Sequence, residues 1–257
     1  MEAQVARFQR RTVSFVRRES PLGPQRQRAW DEHYETLVID VPRAQAAMSV
    51  APGFEFDAAR GFGRVAPLVV EIGSGTGDAV VQGALSRPGT NFLAVEVYGP
   101  GLAATVAKIV DHNLTNVRLV HADAVQVLQH MLRPQSVAEL WIFFADPWHK
   151  VRHHKRRLVN PAFAELAASR LARGGTLRLA TDWASYARQM RDVLAACGSL
   201  TNPYAGRLTP AHAPGGRTSA HPGAGFAPRF DGRAMTRFEQ KGLASGRTIY
   251  DLELRRD

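Results

Sequence analysis

The chain has 257 residues, 45% of them hydrophobic and 22% charged, which suits a soluble globular protein, either one α/β domain with extensions around a large core or two small domains. Its 33 Lys and Arg against 23 Asp and Glu leave a net charge of +10, an excess that attracts nucleic acid or an anionic membrane and says nothing of fold. A lone cysteine, Cys197, excludes an intramolecular disulfide and a cysteine-based zinc site, no apolar run of about 18 residues spans a membrane, and Met1-Glu2-Ala3-Gln4-Val5 is no signal peptide, so the expected location is cytoplasmic.

Residues 1–30 carry seven arginines (Arg7, Arg10, Arg11, Arg17, Arg18, Arg26, Arg28) against Glu2 and Glu19, with little apolar periodicity. A mobile basic arm is expected there, either a solvated tail or an RNA contact. With the following residues it forms an N-terminal arm and extension over 1–60, ahead of a main domain at 61–257. From about residue 67, short apolar runs alternate with amphipathic segments. Pro67–Ile72, Phe92–Val97, Val117–Val120, Leu140–Phe144 and Thr176–Ala180 read as buried parallel strands. Asp78–Leu85, Gly101–Asn113, Ala124–Leu132 and Pro161–Leu171 read as the helices between them. The alternation predicts an α/β, doubly wound sheet with ligands at the carboxyl ends of its strands. Residues 201–235 hold eleven glycines and prolines and are expected as a long surface loop; Arg247–Leu254 reads as a last strand.

Strand one runs into Glu71-Ile72-Gly73-Ser74-Gly75-Thr76-Gly77-Asp78. The glycines at 73, 75 and 77 permit a tight turn and close approach of a ligand to the backbone. A dinucleotide loop would want a third glycine where Asp78 stands, and a pyrophosphate at the helix N-terminus would be repelled by that acid. Strand two ends in Ala94-Val95-Glu96, and strand three leads to His121-Ala122-Asp123. A carboxylate at the first end can accept two ribose hydroxyls, and one at the second can meet the amino edge of adenine. Helix capping competes for Asp123. Three acids at three strand ends beside a glycine loop point to S-adenosylmethionine.

Strand four runs out in Phe143-Phe144-Ala145-Asp146-Pro147-Trp148-His149-Lys150, followed by Val151-Arg152-His153-His154-Lys155-Arg156-Arg157. A hydrophobic strand that ends in an acid, a proline and a tryptophan delivers them into a site. The cations Lys150, Arg152, Lys155, Arg156 and Arg157 are expected to track phosphates beside it, against the alternative of a solvated face. No cysteine or clustered acid completes a ligand set with His149, His153 and His154, so no metal is expected. Thr181-Asp182-Trp183 lies at the end of strand five, where Asp182 competes as a cap for a helix over Trp183–Leu194.

The glycine loop, A-V-E-V (94–97), H-A-D-A-V (121–125), F-F-A-D-P-W-H-K (143–150), K-R-R-L-V-N-P-A-F (155–163), A-T-D-W (180–183) and T-R-F-E-Q-K-G (236–242) together resemble the bacterial tRNA (guanine-N7)-methyltransferases. Those enzymes methylate guanine 46 in the tRNA variable loop. The likeness runs from about residue 10 to the C-terminus, apart from parts of 201–235. It implies a class I S-adenosylmethionine-dependent, Rossmann-like fold with seven strands and tRNA as partner; monomer and homodimer both stay open. It also implies cofactor contacts from Glu71, Glu96, Asp123 and Asp146, with Asp146 catalytic. Lys150, Asp182 and the segment Thr236, Arg237, Phe238 and Glu239 match substrate-contacting positions; a loop hinge competes for that segment. One departure is Ala145, where the family usually has proline; a slightly looser turn with the same chemistry is expected.

Guanine N7 bears a lone pair and no proton, so its methylation requires no general base. A carboxylate near the ring would stabilise the cation that forms, with Asp146 first and Asp182 second, while Trp148 or Phe238 could stack on the base. The rivals are an amino-methyltransferase for adenine or cytosine, for which the motif is one proline short; a nicotinamide oxidoreductase, disfavoured by Asp78; and a basic RNA-binding or assembly protein without catalysis.

Overall fold

A computed structural model of the chain describes residues 21–214, 218–220 and 223–257. Helix α1 (Pro24–Leu37) opens on a proline, whose missing N–H is no loss in a first turn. Its stripe of Trp30, Tyr34 and Leu37 joins the cluster formed by Leu102, Val106 and Ile109 of α4 (Gly99–Asp111). Residues 24–30 are therefore helix rather than mobile arm: the apolar stripe starts at the end of the stretch that looked unpatterned. Residues 1–20 of the expected arm lie outside the described residues.

After α1 the chain passes along the edge of the sheet. Val38 forms a parallel bridge with Leu119 of β3 (Val117–His121), and the short α2 (Ala58–Phe62) leads into β1 (Leu68–Ile72). Next come α3 (Asp78–Ser86), β2 (Asn91–Glu96), α4, β3, α5 (Ala124–Gln126), β4 (Val137–Phe143), α6 (Pro161–Arg170), β5 (Leu171–Thr181) and α7 (Ala184–Ala195). α5 continues as a π-type turn over Val127–Met131, closed by Leu132 N–H donating to Val127 O. β6 (Leu200–Thr201), β7 (Pro210–His212), β8 (Thr218–Ala220), α8 (Arg237–Ala244) and β9 (Tyr250–Arg256) complete the described elements. The strand order is β3-β2-β1-β4-β5-β9-β6: β1 to β5 pair in parallel, and β9 runs antiparallel to β5 and β6. This is the doubly wound α/β sheet that the alternation predicted, with the seven strands that the resemblance implied.

The first two strands are buried along their whole length because helices cover both faces. On one face Val70, Ile72, Leu93 and Val95 pack with Phe163, Ala167, Tyr186 and Met190 of α6 and α7. On the other, Val69, Phe92 and Trp141 pack with Ala79 and Val80 of α3 and Leu102 of α4. At roughly 1.5–3 kcal/mol for each large apolar side chain fully buried, neither face can be left bare. Strand order reverses between β1 and β4, which opens a crevice at their carboxyl ends.

The 201–235 region is more ordered than its composition suggests. β7 and β8 pair as a hairpin, Thr209 Oγ1 donates to Phe226 O at 2.7 Å, and Phe226, Ala227 and Arg233 are buried. Gly206, Gly223 and Gly225, at positive φ, serve bends between these anchors. Residues 215–217 and 221–222 lie outside the described residues.

Candidate active site

The glycine loop follows β1 directly. Gly73, Gly75 and Gly77 hold φ values of 71°, 57° and 78°, a left-handed region that costs a residue with a Cβ about 1–2 kcal/mol. A Cβ at Gly77 would also lie 2.5 Å from the Thr105 side chain, whereas at Gly73 and Gly75 it would meet open space. α4 presses on the loop from outside, and Lys108 Nζ donates to Thr76 O at 2.9 Å and pairs with Asp78. The acid that argued against a pyrophosphate is thereby already matched by a cation.

Glu71 is 4% exposed, and its Oε2 is buried without a hydrogen-bond partner. Burial pushes its pKa from 4.5 up to about 8; the Val80 backbone hydrogen bond opposes this, while the charges of Glu96 and Asp78 reinforce it. Glu96 organises backbone at the end of β2. Its Oε2 accepts from Gly75 N–H at 2.7 Å, and its Oε1 accepts from Val97 and Tyr98 N–H at 2.7 and 2.9 Å. Each carboxylate oxygen accepts about two hydrogen bonds, so Oε1 is filled and Oε2 keeps one position for a ligand hydroxyl. Asp123 does cap α5, accepting from Gln126 N–H at 3.1 Å, and its own N–H donates to Met48 O at 2.8 Å.

Sequence reasoning missed a wall beside these acids. Arg43 Nη2 donates to His121 O at 2.7 Å and Nη1 to Ser49 O at 3.1 Å, tying the 43–49 segment to the end of β3. Nothing in the pattern around Arg43 announces this, because its acceptors are backbone carbonyls distant in sequence. Lys108 was missed for a similar reason, being one basic residue on an amphipathic helix.

The donor set fits S-adenosylmethionine. An orphaned buried carboxylate oxygen suits an ammonium group, the remaining lone pair of Glu96 suits a ribose hydroxyl, and the nearby Lys108 is already committed to Asp78. Among the described residues, no group of three His, Cys, Asp or Glu could hold a metal ion.

Across the crevice, β4 ends at Phe143 and the chain turns sharply. Phe144 and Trp148 hold positive φ values of 58° and 41°, unusual for bulky side chains and the kind of strain that persists only where surroundings enforce it. Phe144 N–H donates to Ala180 O at 2.8 Å, while Ala145 packs against the core and Asp146 between them is exposed. Arg156 sits over the Trp148 ring at 4.4 Å, and His153 meets that ring edge-on. Trp148 thus receives Arg156 on one face of its indole.

The basic run divides. Lys150, Arg152 and Lys155 are exposed around the 3-10 turn Val151–Arg156, free to face phosphates, and Arg156 is half-buried against Trp148. Arg157 departs from the expectation of an RNA contact. It is 3% exposed, and Nε donates to Pro147 O at 2.8 Å, Nη1 to Gln189 Oε1 at 2.6 Å and Nη2 to Ser185 Oγ at 3.1 Å. With its donors turned inward, it has no face for a phosphate.

Asp182 does not cap α7. Its Oδ2 pairs with Arg247 Nη1 at 2.6 Å, and α8 lies so close that a Cβ at Gly242 would be 2.9 Å from the same oxygen. α8 thus covers the end of β5. Thr236 caps α8, accepting from Glu239 N–H at 3.1 Å. Glu239 departs from a substrate-contacting role: its side chain is fully buried, with Oε1 2.8 Å from Arg229 Nε and 2.9 Å from His212 Nδ1, and Oε2 3.2 Å from Arg233 Nε. Burial alone would raise its pKa, but hydrogen bonds and charge from Arg229 and Arg233 hold it down at about 2. Arg233 continues the chain of ion pairs to Asp251 on β9. Thr236 and Glu239 therefore fix the segment, and the two residues between them, Arg237 and Phe238, are presented to solvent, Phe238 at 65% exposure.

Comparison with known proteins places the chain among methyltransferases. A family model described as "Putative methyltransferase" matches residues 65–210, which holds the strand ends from Glu71 to Asp182. A tRNA (guanine-N(7)-)-methyltransferase of Paenarthrobacter aurescens (strain TC1) is 47% identical, over 99% of this chain and 95% of its own. Proteins of that name from Cutibacterium acnes (strain DSM 16379 / KPA171202) and Burkholderia ambifaria (strain ATCC BAA-244 / DSM 16087 / CCUG 44356 / LMG 19182 / AMMD) are 46% and 42% identical, over 97% and 96% of this chain and 85% and 86% of theirs. At 42–47% identity over 96–99% of its length, the chain belongs to the tRNA (guanine-N(7)-)-methyltransferase family.

Proposed function

We propose that this protein transfers a methyl group from S-adenosylmethionine to N7 of guanine in tRNA, that the target is guanine 46 in the variable loop, and that Asp146 is the catalytic carboxylate. The observation that carries the reading is the exposed Asp146 on a strained turn after β4, the strand that pairs with β1 and its buried Glu71. S-adenosylmethionine supplies an electrophilic methyl on a sulfonium. Glu71, Glu96 and Asp123 bind and orient it, and the glycine loop lets the backbone approach. The N7 lone pair displaces the sulfur in line, and no proton leaves N7, so positioning and charge stabilisation supply the rate. Asp146 stabilises the ring as it becomes cationic and can accept hydrogen bonds from its N1–H and amino group. Burial pushes the nearby Tyr186 hydroxyl up to about 12, so it is no base at neutral pH. Lys150, Arg152 and Lys155 hold the adjoining phosphates, and Asp182, Arg237 and Phe238 face the base from the β5 side.

Transfer of labelled methyl to tRNA carrying 7-deazaguanosine at position 46 tests this directly. The deaza tRNA should bind nearly normally and accept no methyl. Asp146→Ala should slow turnover by roughly 10²-fold on normal tRNA, and Asp146→Asn should keep part of the rate. Methylation of the deaza substrate at the normal rate would move the target to an exocyclic amine; methylation confined to another guanine would remove position 46.

A further inference from the structure

We infer that Arg157 is a positioning residue for methyl transfer: from inside the protein it braces the Pro147 carbonyl against α7 and so fixes where the Asp146 carboxylate sits. The inference rests on Asp146 being the reacting carboxylate. The turn that carries Asp146 has an unfavourable backbone, with Phe144 at φ 58° and Trp148 at φ 41° flanking it. Such a turn relaxes unless both ends are held. One end is held by the sheet, through Phe144 N–H donating to Ala180 O at 2.8 Å. Proline has no N–H, so at the other end the backbone of residue 147 can be fixed only through its carbonyl. Arg157 Nε supplies that bond at 2.8 Å.

The guanidinium is in turn over-determined. Gln189 Oε1 at 2.6 Å and Ser185 Oγ at 3.1 Å, both on α7, accept its other two nitrogens, and its Cζ lies 4.9 Å from the centre of the Tyr186 ring. Gln189 is itself held, its Nε2 donating to Val159 O at 3.2 Å. All three acceptors of this buried cation are neutral, so the charge is not there to close an ion pair. What it gains is a rigid fork joining Pro147 to α7, a geometry that lysine, a point donor, cannot reproduce. Its neighbour Arg156 lies over Trp148 at 4.4 Å, so adjacent arginines clamp adjacent residues of the turn.

The test is single-turnover methyl transfer at saturating tRNA and S-adenosylmethionine, run beside equilibrium tRNA binding over a range of salt. Arg157→Lys and Gln189→Met should slow transfer by about 10–100-fold, the scale of an ångström-size misplacement. Their tRNA affinity and log–log salt slope should stay at wild-type values, and their thermal unfolding should remain cooperative. Gln189→Met keeps the arginine and removes one of its anchors, so it reads positioning even where an Arg157 variant folds poorly. In Arg157→Gln, which removes the charge, a salt slope flattened by about one unit with an unchanged transfer rate would make Arg157 a phosphate contact and overturn the inference. An unchanged rate in both variants would also overturn it. Asp146→Asn in the same assay separates the two readings: a slowed Asp146→Asn with normal Arg157 and Gln189 variants refutes the brace alone, whereas a fully active Asp146→Asn refutes the catalytic carboxylate.

Discussion

Glu71 offers a quantitative test of the cofactor site. In the unfolded chain its carboxyl ionises near 4.5; in the folded protein burial, against one backbone hydrogen bond from Val80 and reinforced by Glu96 and Asp78, moves this to about 8. The raised value means that folding is favoured in full below pH 4.5 and loses that contribution as pH rises towards 8. At 1.36 kcal/mol per pH unit the loss approaches about 5 kcal/mol for the free protein. An ammonium placed at the unpartnered Oε2 reverses the preference, because it stabilises only the ionised carboxylate. Binding of S-adenosylmethionine at pH 7 should therefore release close to one proton, and its Kd should fall about tenfold between pH 6 and 7. Glu71→Gln should abolish the proton release and flatten the pH dependence while weakening binding by about 10–100-fold, as for loss of a charged partner. It should also make the free protein more stable than wild type at pH 8.5. Calorimetry in buffers of different ionisation enthalpy counts the proton, and denaturant unfolding across pH gives the stability. Zero proton release by the wild type, or a Glu71→Gln protein less stable than wild type at pH 8.5, would refute this account of the site.

Replacing the exposed Lys150, Arg152 and Lys155 together by alanine should flatten the log–log salt dependence of tRNA binding by about two to three units, and an unaltered slope would leave them a solvated face. Arg43→Ala should raise the Kd for S-adenosylmethionine about 5–30-fold, the scale of one charged hydrogen bond, with tRNA affinity unchanged; cofactor affinity equal to wild type by calorimetry would remove the 43–49 segment from the pocket wall.

Much of this protein is written in local pattern. Continuous apolar runs marked the five parallel strands because a strand covered on both faces carries few polar residues, and the glycines at 73, 75 and 77 marked a turn that only glycine adopts freely. The acids at 71, 96, 123 and 146 were legible because they interrupt or terminate those runs. The first helix was not legible, since Trp30, Tyr34 and Leu37 form a stripe only once α4 supplies the surface that covers it. Composition was misleading at 201–235, where Phe226 and Arg233 are anchors set among turn residues.

What tertiary structure alone decided is which way each charged side chain faces. Lys155 and Arg157 stand two residues apart in one basic run, and the first is exposed while the second is buried beneath Pro147. Glu239 and Glu71 are both acids beside the site, yet one is held down at about 2 by two arginines and the other is pushed up to about 8 by burial without a cation. Sequence carries the residue type and its local periodicity. Whether a charge meets water, a guanidinium or nothing is set by what segments far along the chain bring to it.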